Sequence, residues 1–135
     1  MIKILLVEKE ERRIKDFKKR FKEVFTDNYY LTIAKNVDDV ISSLKNNTYD
    51  LMLLSYNLEG KITGRFLAEW IKQQRNEIHK GLKFPIFIHS MDAEGAEIMY
   101  KILTRGKLLA RRVPYLWAKQ NFNRYFNLEL SDGIN

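Results

Sequence analysis

Five short, almost unbroken apolar runs, separated by segments in which apolar residues return every three or four positions, are the feature that most restricts the fold. The runs are "IKILLV" (Ile2 to Val7), "YLTIA" (Tyr30 to Ala34), "DLMLLS" (Asp50 to Ser55), "FPIFIH" (Phe84 to His89) and the less apolar "LLARRV" (Leu108 to Val113). Runs of this length without polar alternation are the pattern of strands buried on both faces. Between them, Ile14, Phe17, Phe21, Val24 and Phe25 trace one helical stripe. Val37, Val40, Ile41 and Leu44 trace a second, ending near Asn46-Asn47, and Phe66, Leu67, Trp70, Ile71 and Gln74 a third. A fourth helix is predicted from about Asp92 to Thr104. A fifth is opened by Pro114, with Tyr115, Ala118, Phe122, Tyr125 and Phe126 on one face.

Strands alternating with helices through short, right-handed connections build a single α/β domain with a doubly wound, five-stranded parallel sheet. In such a sheet the functional crevice lies beyond the carboxyl ends of the strands. The residues placed there are Glu8, Lys9 and Glu10, then Ser55, Tyr56 and Asn57, then His89, Ser90 and Met91, and finally Arg111 to Pro114.

Composition narrows the chemistry. With 135 residues, the chain fits one domain, expected over 1–128 with a short tail at 129–135. There is no cysteine, which excludes disulfides, thiolate metal sites and a catalytic thiol. No stretch approaches the roughly 20 apolar residues of a membrane span. The N-terminus enters a strand pattern directly, so the expectation is a cytoplasmic protein without export signal or membrane association. A formal net charge of +7 favours encounter with acidic proteins or polyanions.

The strings "ILLVEKEERRIKDF", "YDLMLLSYNLEG" and "PIFIHS" resemble the receiver domain of two-component response regulators over nearly the whole chain. "TGRFLAEWI", "IHSMDAEGAEIMYKIL" and "RRVPY" resemble, more narrowly, a divergent receiver branch proposed to process or recognise cyclic phosphates. That branch shows a Leu-Asp-His-Asp-Leu string after strand three, a Thr-Gly before helix three, and a His-Ser-x-Asn-x-x-Gly string after strand four. Here His89, Ser90 and Gly95 keep their places, and Asp92 stands where Asn is usual. The resemblance implies a flavodoxin-like sheet of strand order 2-1-3-4-5.

At the acceptor the pattern breaks. Leu54-Ser55-Tyr56-Asn57-Leu58 occupies the Asp-His-Asp position, so Ser55 stands at the phosphoacceptor aspartate. Glu8 holds the first upstream acidic position and Lys9 replaces the second. The usual receiver Lys-Pro reads Val113-Pro114, a lysine that this branch also lacks. Phosphotransfer needs a carboxylate nucleophile and an oxygen-ligated Mg²⁺. Serine forms no acyl phosphate, and the Lys9 ammonium is expected to replace the ion's charge and pair with Glu8. Glu8, Lys9, Ser55, Tyr56 and Asn57 thus read as a former acceptor pocket, with no catalytic residue, cofactor or metal.

Three other groups draw attention. His89, Ser90, Asp92, Gly95, Arg111 and Arg112 are candidates for a phosphate site at the next helix start, although the favoured reading of His89 is an inward-facing scaffold residue. The first helix carries Arg12, Arg13, Lys15, Lys18, Lys19, Arg20 and Lys22 around its apolar stripe, either a solvated face or a docking surface. Tyr115, Trp117 and Tyr125 in the last helix are candidate partner anchors, because binding surfaces enrich aromatics. Receivers associate through the face of helix four, strand five and helix five, so a homodimer through that face is open. The leading expectation is a stand-alone pseudo-receiver that binds a protein, with an acidic surface favoured, or regulates independently of phosphorylation. A domain that binds a phosphate or cyclic-nucleotide ligand, or retains residual processing of it, using His89 and Ser90 is the second expectation. A basic nucleic-acid-associated protein is the third.

Overall fold

The computed structural model describes residues 1–74 and 84–113. Their elements run β1 (Ile2–Val7), α1 (Glu11–Phe25), β2 (Tyr29–Ala34), α2 (Val37–Asn46), β3 (Leu51–Leu54), α3 (Gly64–Gln74), β4 (Ile86–Ile88), α4 (Ala93–Arg105) and β5 (Ala110–Arg112). All pairings are parallel, in the order β2-β1-β3-β4-β5. The expected doubly wound sheet and its order are therefore present. The helix expected after Pro114, with Tyr115, Trp117 and Tyr125, lies outside the described residues.

Strand alternation divides the core. Leu5 and Val7 of β1, Met52 and Leu54 of β3, and Ile86 and Ile88 of β4 pack on the side of α2, α3 and α4. Ile4, Leu6, Leu51, Leu53 and Phe87 face the opposite side, where α1 buries Ile14, Phe17 and Phe21. Both faces of the central strands are apolar, which is why those strands read as continuous runs. Asn36 caps α2 by accepting the Asp39 N–H at 2.8 Å, and Asp92 caps α4 by accepting the Gly95 N–H, also at 2.8 Å.

The third helical face is rotated from its expected position. α3 buries Gly64, Leu67, Ala68 and Ile71, whereas Phe66 is 49% exposed and Trp70 is only partly covered. Steric fit sets this orientation: α3 approaches the sheet through its small residues, and the large rings sit at the margin. No helix among the described residues is long and apolar enough to cross a membrane.

A shut row at the strand ends

Val7, Leu54 and Ile88 are in register across β1, β3 and β4, and Arg112 of β5 follows Ile88. One residue further on come Glu8, Ser55, His89 and Val113. Backbone bonds hold this next row in line. The Glu8 N–H donates to the Ala34 carbonyl at 3.0 Å, Ser55 to Val7 at 3.2 Å, His89 to Leu54 at 3.0 Å and Val113 to Ile88 at 2.8 Å. By the two-residue period of a strand, all four side chains turn to the α1 side. Glu8, Ser55 and His89 are each 0% exposed.

The Glu8 carboxylate is already engaged. Its Oε2 accepts the N–H groups of Lys9 (2.9 Å) and Glu10 (3.0 Å). Its Oε1 lies 3.4 Å from Arg13 Nη1 and 3.7 Å from His89 Nδ1. The pairing expected of Lys9 is thus made by Arg13, one turn into α1, while Lys9 contributes its backbone. The reason is geometric: the backbone at residues 9 and 10 wraps the carboxylate with its N–H groups, and the first turn of α1 brings the Arg13 guanidinium to it. Sequence reasoning treated Arg13 as surface charge and missed this role.

His89 packs edge-on against Phe17, with ring centroids 4.9 Å apart and an interplanar angle of 66°. Among the described residues, neither of its ring nitrogens, nor the Ser55 hydroxyl, has a hydrogen-bond partner. Burial pushes the His89 imidazole down to about 3, and the nearby Arg13 charge pushes the same way. Neutral imidazole therefore faces Glu8 above the small Ser55.

On the other side of the same sheet edge, Tyr56 is held by two glycines. Gly64 donates its N–H to the Tyr56 carbonyl at 2.9 Å. A Cβ on Gly64 would come within 2.7 Å of Tyr56 Cα, and one on Gly95 within 2.3 Å of the Tyr56 ring. Asn57 is exposed beyond it. The former acceptor pocket is therefore divided: Glu8 and Ser55 under α1, Tyr56 against α3 and α4.

The phosphate candidates are also dispersed. The Ser90 hydroxyl accepts the Asp92 N–H at 3.2 Å, and the Asp92 carboxylate is committed to its cap. Arg111 and Arg112 are paired with Phe87 and Ile88, which belong to opposite core faces, so the two arginines leave the sheet in opposite directions. Arg112 pairs with Glu97 and donates to the Ala93 carbonyl at 3.3 Å. Among the described contacts, neither arginine reaches Ser90. Lys18 and Lys19 are exposed on α1.

A receiver's Mg²⁺ calls for several hard oxygen donors. This row offers one carboxylate, whose oxygens already serve two N–H groups and an arginine. No group of three or more His, Cys, Asp or Glu residues among those described is placed to hold a metal. The donor set does not fit the ion.

A five-stranded parallel sheet of order 2-1-3-4-5, with the buried row at its carboxyl edge, defines a receiver-type domain. Residues 5–105 match the family described as the cyclic-phosphate processing receiver domain, and the chain belongs to that family. No curated protein matches it. Among solved structures, it is similar to the phosphorylated cyanobacterial phytochrome response regulator RcpA, at 16% identity and a TM-score of 0.73, covering 97% of this chain and 95% of that one. The receiver domain of a Pseudomonas aeruginosa sensor histidine kinase, with a magnesium ion coordinated in its active site cleft, gives 14% identity and a TM-score of 0.72, with 96% and 98% covered. The non-phosphorylated HemR receiver domain from Leptospira biflexa gives 21% and 0.71, with 97% and 95% covered. At these identities the likeness establishes the fold. The chain is a regulatory receiver module by fold and family.

Proposed function

We propose that this receiver module acts through protein contacts in a state that phosphorylation does not set. The observation that carries the reading is the shut row: Ser55 at the acceptor position is fully buried between Glu8 and His89, and Glu8 is occupied by two N–H groups and Arg13. A hydroxyl there offers no carboxylate nucleophile, and it is 0% exposed to an incoming phosphoryl donor. The family's description invites a cyclic-phosphate ligand instead. Against that stands His89, fully covered and set against Phe17, with the Ser90 hydroxyl already bonded to Asp92.

Incubation with acetyl phosphate and Mg²⁺, followed by intact-mass measurement, tests the reading. The expected mass is unchanged, whereas a stable increment of one phosphoryl group overturns it. A parallel calorimetric titration with a 2′,3′-cyclic nucleotide is expected to give no binding heat.

A further inference from the structure

α1 lies across one side of the sheet with Ile14, Phe17 and Phe21 buried beneath it. Its outward side carries Arg12, Lys15, Lys18, Lys19 and Lys22, all exposed. Positions 12, 15, 19 and 22 recur at three- and four-residue intervals, so four cations form one line about 15 Å long at 1.5 Å of rise per residue. Lys18 flanks that line.

Three of the carboxylates near α1 are committed elsewhere. Glu8 pairs with Arg13, Glu11 with Lys35, and Glu23 with Arg20 at 3.1 Å. The Lys35 ammonium is the main cause holding the Glu11 carboxyl below its ordinary range, and Lys15 and Lys18 add to it from a distance. None of the five outward cations has an ion-pair partner among the described residues.

We propose that this face of α1 docks an acidic helical segment of a partner protein. The inference names the chemistry of the partner and rests on the protein-contact reading above. Two observations favour a protein over a nucleic acid. Exposed carboxylates with no ion pair among the described residues flank the patch, Glu10 at one end and Asp27 at the other. A phosphate chain continuing past either end would meet like charge, whereas a helix of matching length fits between them. In addition, the aromatic residues of α1 are turned inward or partly covered, so none is presented for stacking on bases. Carboxylates at three- and four-residue spacing on an antiparallel helix would meet the line of cations.

The test measures anisotropy of a labelled helical peptide of about 20 residues, long enough to hold a helix, with glutamates at three- and four-residue spacing. A duplex DNA of similar length is the competitor probe. The full chain is compared with the K15E/K19E/K22E variant and with K15Q/K19Q/K22Q, each checked for folding by circular dichroism. Individual exposed pairs contribute little, so three together are expected to weaken the peptide about tenfold on neutralisation, and more on reversal. Added salt should weaken binding in step. Tighter binding of DNA than of peptide, lost in the same variants, overturns the proposal in favour of a nucleic acid. Undiminished peptide binding by both variants, or no peptide binding by the parent, also overturns it. None of these outcomes depends on the acetyl phosphate result, which tests the underlying reading separately.

Discussion

The two sides of the sheet's carboxyl edge are built by opposite means. Under α1, Glu8, Ser55 and His89 are polar, fully buried and sparingly bonded: one carboxylate collects several donors, and the hydroxyl and imidazole have no partner among the described residues. Against α3 and α4, Tyr56 is held by close contact, with Gly64 and Gly95 leaving no room for a Cβ. The first side is governed by solvation and charge, the second by steric fit. Substitutions should therefore fail for different reasons on the two sides, and that difference can be measured.

Ser55→Asp is expected to have the largest effect. It places a second carboxylate in the sealed row beside Glu8 and should cost about 3 kcal/mol or more at neutral pH, as buried uncompensated charges do. Chemical denaturation would check it. A fully stable variant that accepts phosphate from acetyl phosphate would show that the row lacks only its nucleophile.

Gly95→Ala tests the opposite side. The new methyl collides with the Tyr56 ring and should cost about 2 kcal/mol. Pairing it with Tyr56→Ala should recover much of that loss, which a double-mutant cycle reads directly. Additive losses would mean that the ring is not the obstacle.

A third prediction concerns acid. His89 is held down to about 3 in the folded chain, against 6.5 without the fold. Between those values the unfolded chain binds the extra proton, so the contribution is fully present above pH 6.5 and is lost as pH falls. The slope is at most about 1.4 kcal/mol per pH unit. Melting temperatures followed from pH 7.5 down to 5 should fall more steeply for the parent than for His89→Gln, and parallel curves would refute the assignment.

The smallest effect belongs to Ser55→Ala. Its hydroxyl is buried without a partner among the described residues, so removal should be neutral or stabilising by up to about 1 kcal/mol. A clear loss of stability would reveal a bonded, buried water at Ser55, and the row would be less sparingly solvated than the comparison holds.

Much of this architecture was legible in the chain. Apolar runs marked the strands, and the stripe at Ile14, Phe17 and Phe21 marked the buried face of α1. The strand-end residues followed from element order. Strand period also contained more than was drawn from it: Glu8, Ser55 and His89 share parity with Leu6, Leu53 and Phe87, while Arg111 and Arg112 necessarily diverge. Arg13 over Glu8 and Phe17 against His89 were not legible, because both depend on how α1 lies across the sheet. The Gly64 and Gly95 positions appeared as parts of a motif, and only the location of the Tyr56 ring supplies their steric reason.

The unequal strand lengths have a kinetic consequence. β1 is paired with β2 at six positions and with β3 at four, whereas β4 is paired with each neighbour at only three. Ladders open locally at free energies that follow their extent and burial, so amide protons of Leu5 and Leu6 should exchange with solvent deuterium more slowly than those of Phe87 and Ile88. His89 is carried by that shorter strand. Its imidazole is therefore expected to meet solvent, and to take up a proton, through local opening of β4 while the β1–β2–β3 ladder stays closed.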